Sequence, residues 1–168
     1  MGLASKDKGI VDIMELIYKR ATINDIELLT ETRIESLKAA DRISSPVDLD
    51  TLSDASKEYY KRALADDTHV AYLIFDGTKF IASGGICFYD VMPTYSDCTG
   101  KRAYIMNMYT KPDYRRQGIA YKTLSLLVGA AYERGVNYIS LEPTDISKHL
   151  YEKYGFRFID DEMRLVEF

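Results

Sequence analysis

Six consecutive residues, Arg115-Arg116-Gln117-Gly118-Ile119-Ala120, combine two fixed positive charges, a glycine and the opening of an apolar-periodic segment. Beyond Gly118, the apolar residues Ile119, Leu124, Leu127, Val128 and Ala131 recur at helical spacing, and Gly135 follows as a stop signal. A helix beginning here leaves its first backbone N–H groups without intrahelical acceptors and aims the positive end of its dipole forward, so an anion in front of it is favoured. Gly118 has no side chain to hold the backbone away from such an anion. The chemistry implied is a phosphate or pyrophosphate seat.

A strand must deliver that seat, and Tyr104-Ile105-Met106-Asn107-Met108-Tyr109-Thr110 reads as one, with Pro112 and Asp113 punctuating the turn into the basic segment. Further along stands a second block, Leu150-Tyr151-Glu152-Lys153-Tyr154-Gly155-Phe156. Together, Arg115-x-x-Gly118-x-Ala120 and Leu-Tyr-x-x-x-Gly-Phe resemble the acyl-CoA signature and the closing element of the GNAT superfamily of N-acyltransferases. As a fold the resemblance extends over residues 17–168, and its specific motifs over residues 104–156. It implies an α/β fold with a mixed, mostly antiparallel sheet of about six to seven strands, about four flanking helices and splayed central strands.

The resemblance also implies a cosubstrate, acetyl-CoA, and assigns residues to it. Arg115, Arg116, Gln117, Gly118, Ile119 and Ala120 would receive the pyrophosphate. The backbone of Met108, Tyr109 and Thr110, splayed from the next strand at Leu141, would pair with the amides of the pantetheine arm as an added strand does. Thr144 stands where many relatives have an Asn touching that arm, and Ser147 where many have Ala. Tyr151 matches the tyrosine that returns a proton to the departing thiolate; without the paired motif, Leu150, Tyr151 and Tyr154 read as core residues of a short helix. The first two helices would form much of the acceptor wall.

Amide formation needs a neutral amine. An alkyl ammonium with pKa ~10.4 lies roughly 4.6 kcal/mol below its neutral form at neutral pH, so some group or water chain must accept a proton. Many relatives carry a glutamate on the strand corresponding to residues 104–110, and this strand has no acid. Glu142, ending the next strand, is the first candidate for amine binding or proton acceptance, with Asp90 second and ordered water an equal contender. His69 and His149 have no companion ligand spacing, so no metal is expected. Two other readings fit the same motifs: an acyl-CoA-binding module without turnover, supported by the missing strand carboxylate, and a transferase of a longer acyl group.

Length and composition bound these readings. A chain of 168 residues with 46% hydrophobic residues makes one domain, residues 17–168, with residues 1–16 as a leader or extra turn. A net charge of −4 and a pI near 5.3 argue against nucleic-acid binding and suit a cationic acceptor, an amine of a small molecule or peptide. No apolar run approaches the ~20 residues that cross a bilayer, so no membrane association is expected. Cys87 and Cys98 lack the spacing of a disulfide framework and read as free thiols in a reducing cytoplasm. Exposed strands and 14 tyrosines leave room for a homodimer.

The remaining elements follow from local pattern. Residues 17–21 alternate as a first strand, and Asn24 or Asp25 caps a helix to about residue 40. A polar loop over residues 41–51 precedes a second helix capped by Ser53 or Asp54 and ending near residue 64. Residues 69–75 and 79–89 form a hairpin about Asp76-Gly77, with a bulge or close backbone approach at Gly84-Gly85. After the basic turn and its helix come a strand over residues 136–141, a short helix from Thr144 or Asp145 to Gly155, and a last hairpin pairing residues 157–159 with 163–168.

Overall fold

The computed structural model describes residues 15–40 and 48–159. Their strands are β1 (Leu16–Arg20), β2 (His69–Asp76), β3 (Lys79–Asp90), β4 (Lys101–Thr110) and β5 (Tyr138–Leu141), hydrogen-bonded in that order. Every neighbouring pair is antiparallel except β4 and β5, which are parallel. This is the mixed, mostly antiparallel α/β sheet expected, with five strands among the described residues rather than six or seven. Arg157, Phe158 and Ile159 are irregular rather than a strand, and residues 163–168 of the expected last hairpin lie outside the described residues. Residues 1–14 of the expected leader also lie outside them, and Leu16 already belongs to β1.

Helices α1 (Ile26–Ala39) and α2 (Leu49–Ala65) cover one sheet face, where Leu29 and Tyr60 pack with Ala71 and Leu73. Helices α3 (Ile119–Glu133) and α4 (Lys148–Tyr154) cover the other, where Leu124, Leu127, Val128, Ala131 and Tyr151 pack with Val70, Ile86, Ala103 and Ile105. Leu124 and Leu127 are fully buried, each contributing about 1.5–3 kcal/mol of hydrophobic stabilisation. The helical spacing read after Gly118 is therefore the core-facing side of α3. No described helix is long and apolar enough to cross a membrane.

Asp25 stands at the N-cap of α1, one of the two caps expected, but makes no side-chain cap bond there. A 3-10 turn, Ile23–Asp25, precedes the helix and is opened by Thr22, whose hydroxyl accepts from Asn24 N, while the Asp25 carboxylate accepts from Thr22 N at 2.9 Å. Asp25 is thus the reciprocal half of a capping box whose lead residue is the threonine. Asp48, rather than Ser53 or Asp54, caps α2, accepting from Asp50 N at 3.0 Å and from the Thr51 hydroxyl at 2.6 Å. It satisfies the orphan donors a turn earlier, so the last residues of the expected loop become helix.

The irregularity expected at Gly84-Gly85 is present, both as a shift of register and as close approach. Ser83 pairs with Tyr109 and Gly85 with Met106, so two residues of β4, Asn107 and Met108, stand opposite Gly84 alone. The extra residue belongs to β4, and the glycines of β3 make room for what surrounds it. A Cβ on Gly84 would lie 2.6 Å from Met108 Sδ, and one on Gly85 would lie 2.8 Å from His69 Nε2. Beyond the bulge the sheet opens. Pairing between β4 and β5 runs from Arg102 with Tyr138 to Ile105 with Leu141 and stops, while β4 continues to Thr110.

Candidate active site

The end of β4 is tied down before the basic turn begins. Lys111 N donates to Ile81 O at 2.8 Å, and the 3-10 turn Pro112–Tyr114 is pinned by the Tyr114 hydroxyl donating to Asp76 at 2.8 Å. Proline at the first position presets the turn's φ and loses no hydrogen bond there. Arg115 is then extended, Arg116 is left-handed at φ +64°, and Gly118 is left-handed at φ +80° as the N-cap of α3. This winding, which glycine adopts without strain at 118, reverses the chain so that α3 starts immediately in front of the strand end.

The first hydrogen bond of α3 runs from Lys122 N to Gly118 O at 3.0 Å. Among the described residues no acceptor meets the backbone N–H groups of Arg116, Gln117, Gly118, Ile119, Ala120 or Tyr121. A Cβ on Gly118 would meet nothing within 4 Å, so the space before these donors is open. Arg115, Arg116, Gln117 and Gly118 are all exposed. Two of them also brace the turn, Arg115 Nε donating to Thr110 O at 3.1 Å and Gln117 Nε2 to Asp113 O at 3.2 Å. Ile119 contributes only its N–H, because its side chain is buried beneath β3 with Ile81 and Ala82.

Next to the turn is the unpaired edge of β4. Among the described residues no strand pairs with Met108, Tyr109 or Thr110 on the side facing β5, so their backbone groups there are available to an added strand. Met108 on one lip and Leu141 on the other pack against the same buried cluster as Tyr151. Tyr151 itself is 7% exposed, with its ring edge-on to Phe156 at 6.0 Å. Leu150 and Tyr154 also pack on this cluster, so the short helix serves the core with Tyr151 as its buried residue. Burial, and then the Glu35 carboxylate, push the Tyr109 phenol above its ordinary value, with Arg115 acting in the opposite direction.

The segment after β5 is self-braced. Ser147 Oγ accepts from Thr144 N at 2.8 Å, lies 2.9 Å from Thr144 Oγ1 and donates to Thr144 O at 3.1 Å. These bonds hold residues 144–147 as a turn, so α4 begins at Lys148 rather than at Thr144 or Asp145. Ser147, the departure from the alanine of many relatives, is what secures Thr144. Glu142 is exposed and lines a cavity of about 300 Å3 with Pro143, Thr144, Asp145, Lys148 and Phe158. Asp90 is not brought to this site. It pairs with Lys101 at the other end of β4, about 30 Å of strand from Thr110, and lines a separate cavity with Phe88, Arg102 and Arg134.

Two side chains near the site, Asn107 and Ser36, carried no local signal strong enough to single them out. Asn107 occupies the bulge at φ +56° and accepts from the Ser36 hydroxyl of α1 at 2.5 Å. An asparagine inside an apolar strand is a mild hint of left-handed backbone, but its partner is 71 positions away. His69 is 2% exposed, with Nδ1 3.1 Å from the Tyr59 hydroxyl and Nε2 without a partner. His149 is exposed, and among the described residues no three His, Cys, Asp or Glu side chains converge as metal donors.

Known proteins share this fold. A "predicted acetyltransferase with acetyl-CoA" from Clostridium acetobutylicum superposes with a TM-score of 0.84 at 33% identity, over 90% of this chain and 96% of that one. A GCN5-related N-acetyltransferase from Ralstonia eutropha JMP134 superposes with a TM-score of 0.79 at 22% identity, over 90% and 98% of the two chains, a likeness of fold. In sequence, thialysine N-epsilon-acetyltransferase of Sus scrofa is 35% identical over 66 residues, 38% of this chain and 39% of that protein. The match thus spans about two fifths of that relative's length. The pattern of the acetyltransferase (GNAT) family runs through residues 34–156, most of the chain and both motif blocks, and the chain belongs to that family.

Proposed function

We propose that the chain transfers an acetyl group from acetyl-CoA to a primary amine of a small molecule or peptide, with both substrates held together in one site. One observation carries this reading: an open strand edge, acceptor-free N–H groups and two arginines are contiguous at the end of β4, above the cluster that holds Tyr151. The residues fit the substrate. Diphosphate oxygens match the N–H groups of residues 116–121 and the charges of Arg115 and Arg116. Amides of an extended arm match the backbone of Met108, Tyr109 and Thr110, with Thr144 across the opening.

Acetyl-CoA, when bound, supplies an acyl thioester whose carbonyl carbon accepts the amine's lone pair as the carbon–sulfur bond breaks. Tyr151 then gives a proton to the departing sulfur; a phenol of pKa ~10 does so to a thiolate of conjugate pKa ~8.5 at a cost of about 2 kcal/mol. Glu142, exposed at the end of β5, binds the amine or takes its proton, directly or through water. No enzyme nucleophile is needed, and burial pushes the Cys87 thiol up, away from the thiolate form. Free thiols at Cys87 and Cys98 suit a reducing cytoplasm.

The test is thiol release from acetyl-CoA against a panel of amino acids including lysine and thialysine, polyamines, aminoglycosides and peptide N-termini. Tyr151→Phe is expected to lower kcat by about a hundredfold or more; an unchanged rate with every accepted amine removes Tyr151 from its role. Glu142→Gln is expected to lower kcat/KM near neutral pH and to approach the wild type above the amine's pKa, where no proton need be taken. The absence of any carboxylate on β4 favours a second reading, a binding module without turnover. Acetyl-CoA binding by calorimetry, with no thiol release across the panel, decides for it.

A further inference from the structure

Asn107 is buried in the middle of an apolar strand yet holds φ +56°. Few residues other than glycine adopt that backbone, and asparagine tolerates it better than most. It is the extra residue of the β4 bulge, just past the last position where β5 pairs. A left-handed residue inserted in one strand turns its flanking peptide groups out of the ladder, and strain of this kind persists only where the surroundings enforce it.

The enforcing contact comes from another element. Ser36 Oγ, on the last turns of α1, donates to Asn107 Oδ1 at 2.5 Å and lies 3.0 Å from Arg33 O. Ser83 Oγ of β3 also donates to Asn107 O at a longer 3.4 Å. The Ser36 bond therefore links α1, which flanks one side of the sheet, to the point at which the slot between β4 and β5 opens.

We propose that Asn107 is a positioning residue for acyl transfer, and that Ser36 holds it so that the acceptor-side helix and the bulged strand beside the thioester move as one body. The inference rests on the acetyltransferase reading above and adds to it the residues that bring the two substrates into register. Neither side chain touches a reacting atom in this account. Their effect passes through the backbone of β4.

Kinetics of four variants test it: Ser36→Ala, Asn107→Gly, the two combined, and Ser36→Thr. Glycine keeps the left-handed backbone without strain, so Asn107→Gly removes the hydrogen bond and leaves the bulge. Ser36→Ala and Asn107→Gly are each expected to lower kcat about two- to tenfold, the worth of one hydrogen bond. The double variant should lose no more than either single one, acetyl-CoA affinity by calorimetry should stay within about twofold, and Ser36→Thr should keep the wild-type rate. Losses that multiply in the double variant, or a lowered Tm with kcat unchanged, overturn the inference while wild-type turnover still supports the acetyltransferase reading. A wild type that releases no thiol with any amine overturns both.

Discussion

Arg116 sits at φ +64° on an exposed turn, where a residue with a Cβ is held at a cost of about 1 kcal/mol relative to glycine. A charged residue kept in that setting is expected to serve the ligand rather than the fold. Arg116→Gly should leave Tm unchanged or slightly raised, since relief of strain is offset by the greater freedom of glycine in the unfolded chain. The same change should weaken acetyl-CoA binding about tenfold, the scale of one charge-assisted hydrogen bond. Scanning calorimetry and titration calorimetry read the two effects separately, and opposite signs identify a binding residue. Affinity equal to the wild type would make Arg116 a solvated turn residue. The turn into α3 was legible from sequence because it is local: the arginines, the glycine and the helix start lie within one short run. Even so, periodicity alone did not separate the N–H of Ile119, which faces the open space, from its side chain, which goes to the core. Ser36 and Asn107 were not legible, because their meeting depends on how α1 lies across β4.

Among the elements, β3, β4 and α3 meet at Gly84, and their spacing sets where Met108 lies. A Cβ there would come within 2.6 Å of Met108 Sδ, 2.7 Å of Thr123 Cγ2 and 3.1 Å of Leu127 Cδ1. Methionine can give way, but threonine and leucine on the buried face of α3 cannot move without displacing the helix. Gly84→Ala is therefore expected to destabilise by about 1–3 kcal/mol, seen as a lower denaturant midpoint. It should also weaken acetyl-CoA binding, since the displaced Met108 borders the slot. A midpoint unchanged from the wild type would show that α3 stands farther from the sheet than this packing requires. Elements with a strong internal period, the β2–β3 hairpin and α3, matched their expected extents closely. The start of α2 did not, because Asp48, Ser53 and Asp54 all have capping side chains and only the path of the preceding chain selects among them. The irregularity at Gly84-Gly85 was legible, but not which strand carries the extra residue. Gly84 and Gly85 signal close approach, but the residue that approaches belongs to β4, and the parting of β4 from β5 is a property of two strands separated by a helix.

At the scale of the molecule, stability against acid has two parts that set in at different pH. Asp48, Asp66 and Asp97 are each held below the ordinary carboxylate range, first by the hydroxyl of a nearby threonine, and for Asp97, held down to about 2, next by Arg102. Their contribution is present above the ordinary value of 3.8 and is lost as pH falls through the lowered ones. His69 acts earlier. Burial between β2 and α2, with Tyr59 on Nδ1 and Tyr60 edge-on at 5.4 Å, lowers its pKa from 6.5 to about 4. The unfolded chain binds a proton there below 6.5 and the folded chain does not until about 4, so stability falls as pH drops through that window. The loss approaches about 3 kcal/mol once both forms are protonated. Denaturant midpoints measured from pH 7.5 to 4 should therefore decline in the wild type as the histidine of the unfolded chain takes up its proton. His69→Gln, which carries no titrating ring, should flatten that decline whatever its stability at neutral pH, because the slope alone reports the histidine. Equal slopes in the two proteins would mean that the imidazole takes up its proton in the folded state, which the orphaned Nε2 packed against Gly85 argues against.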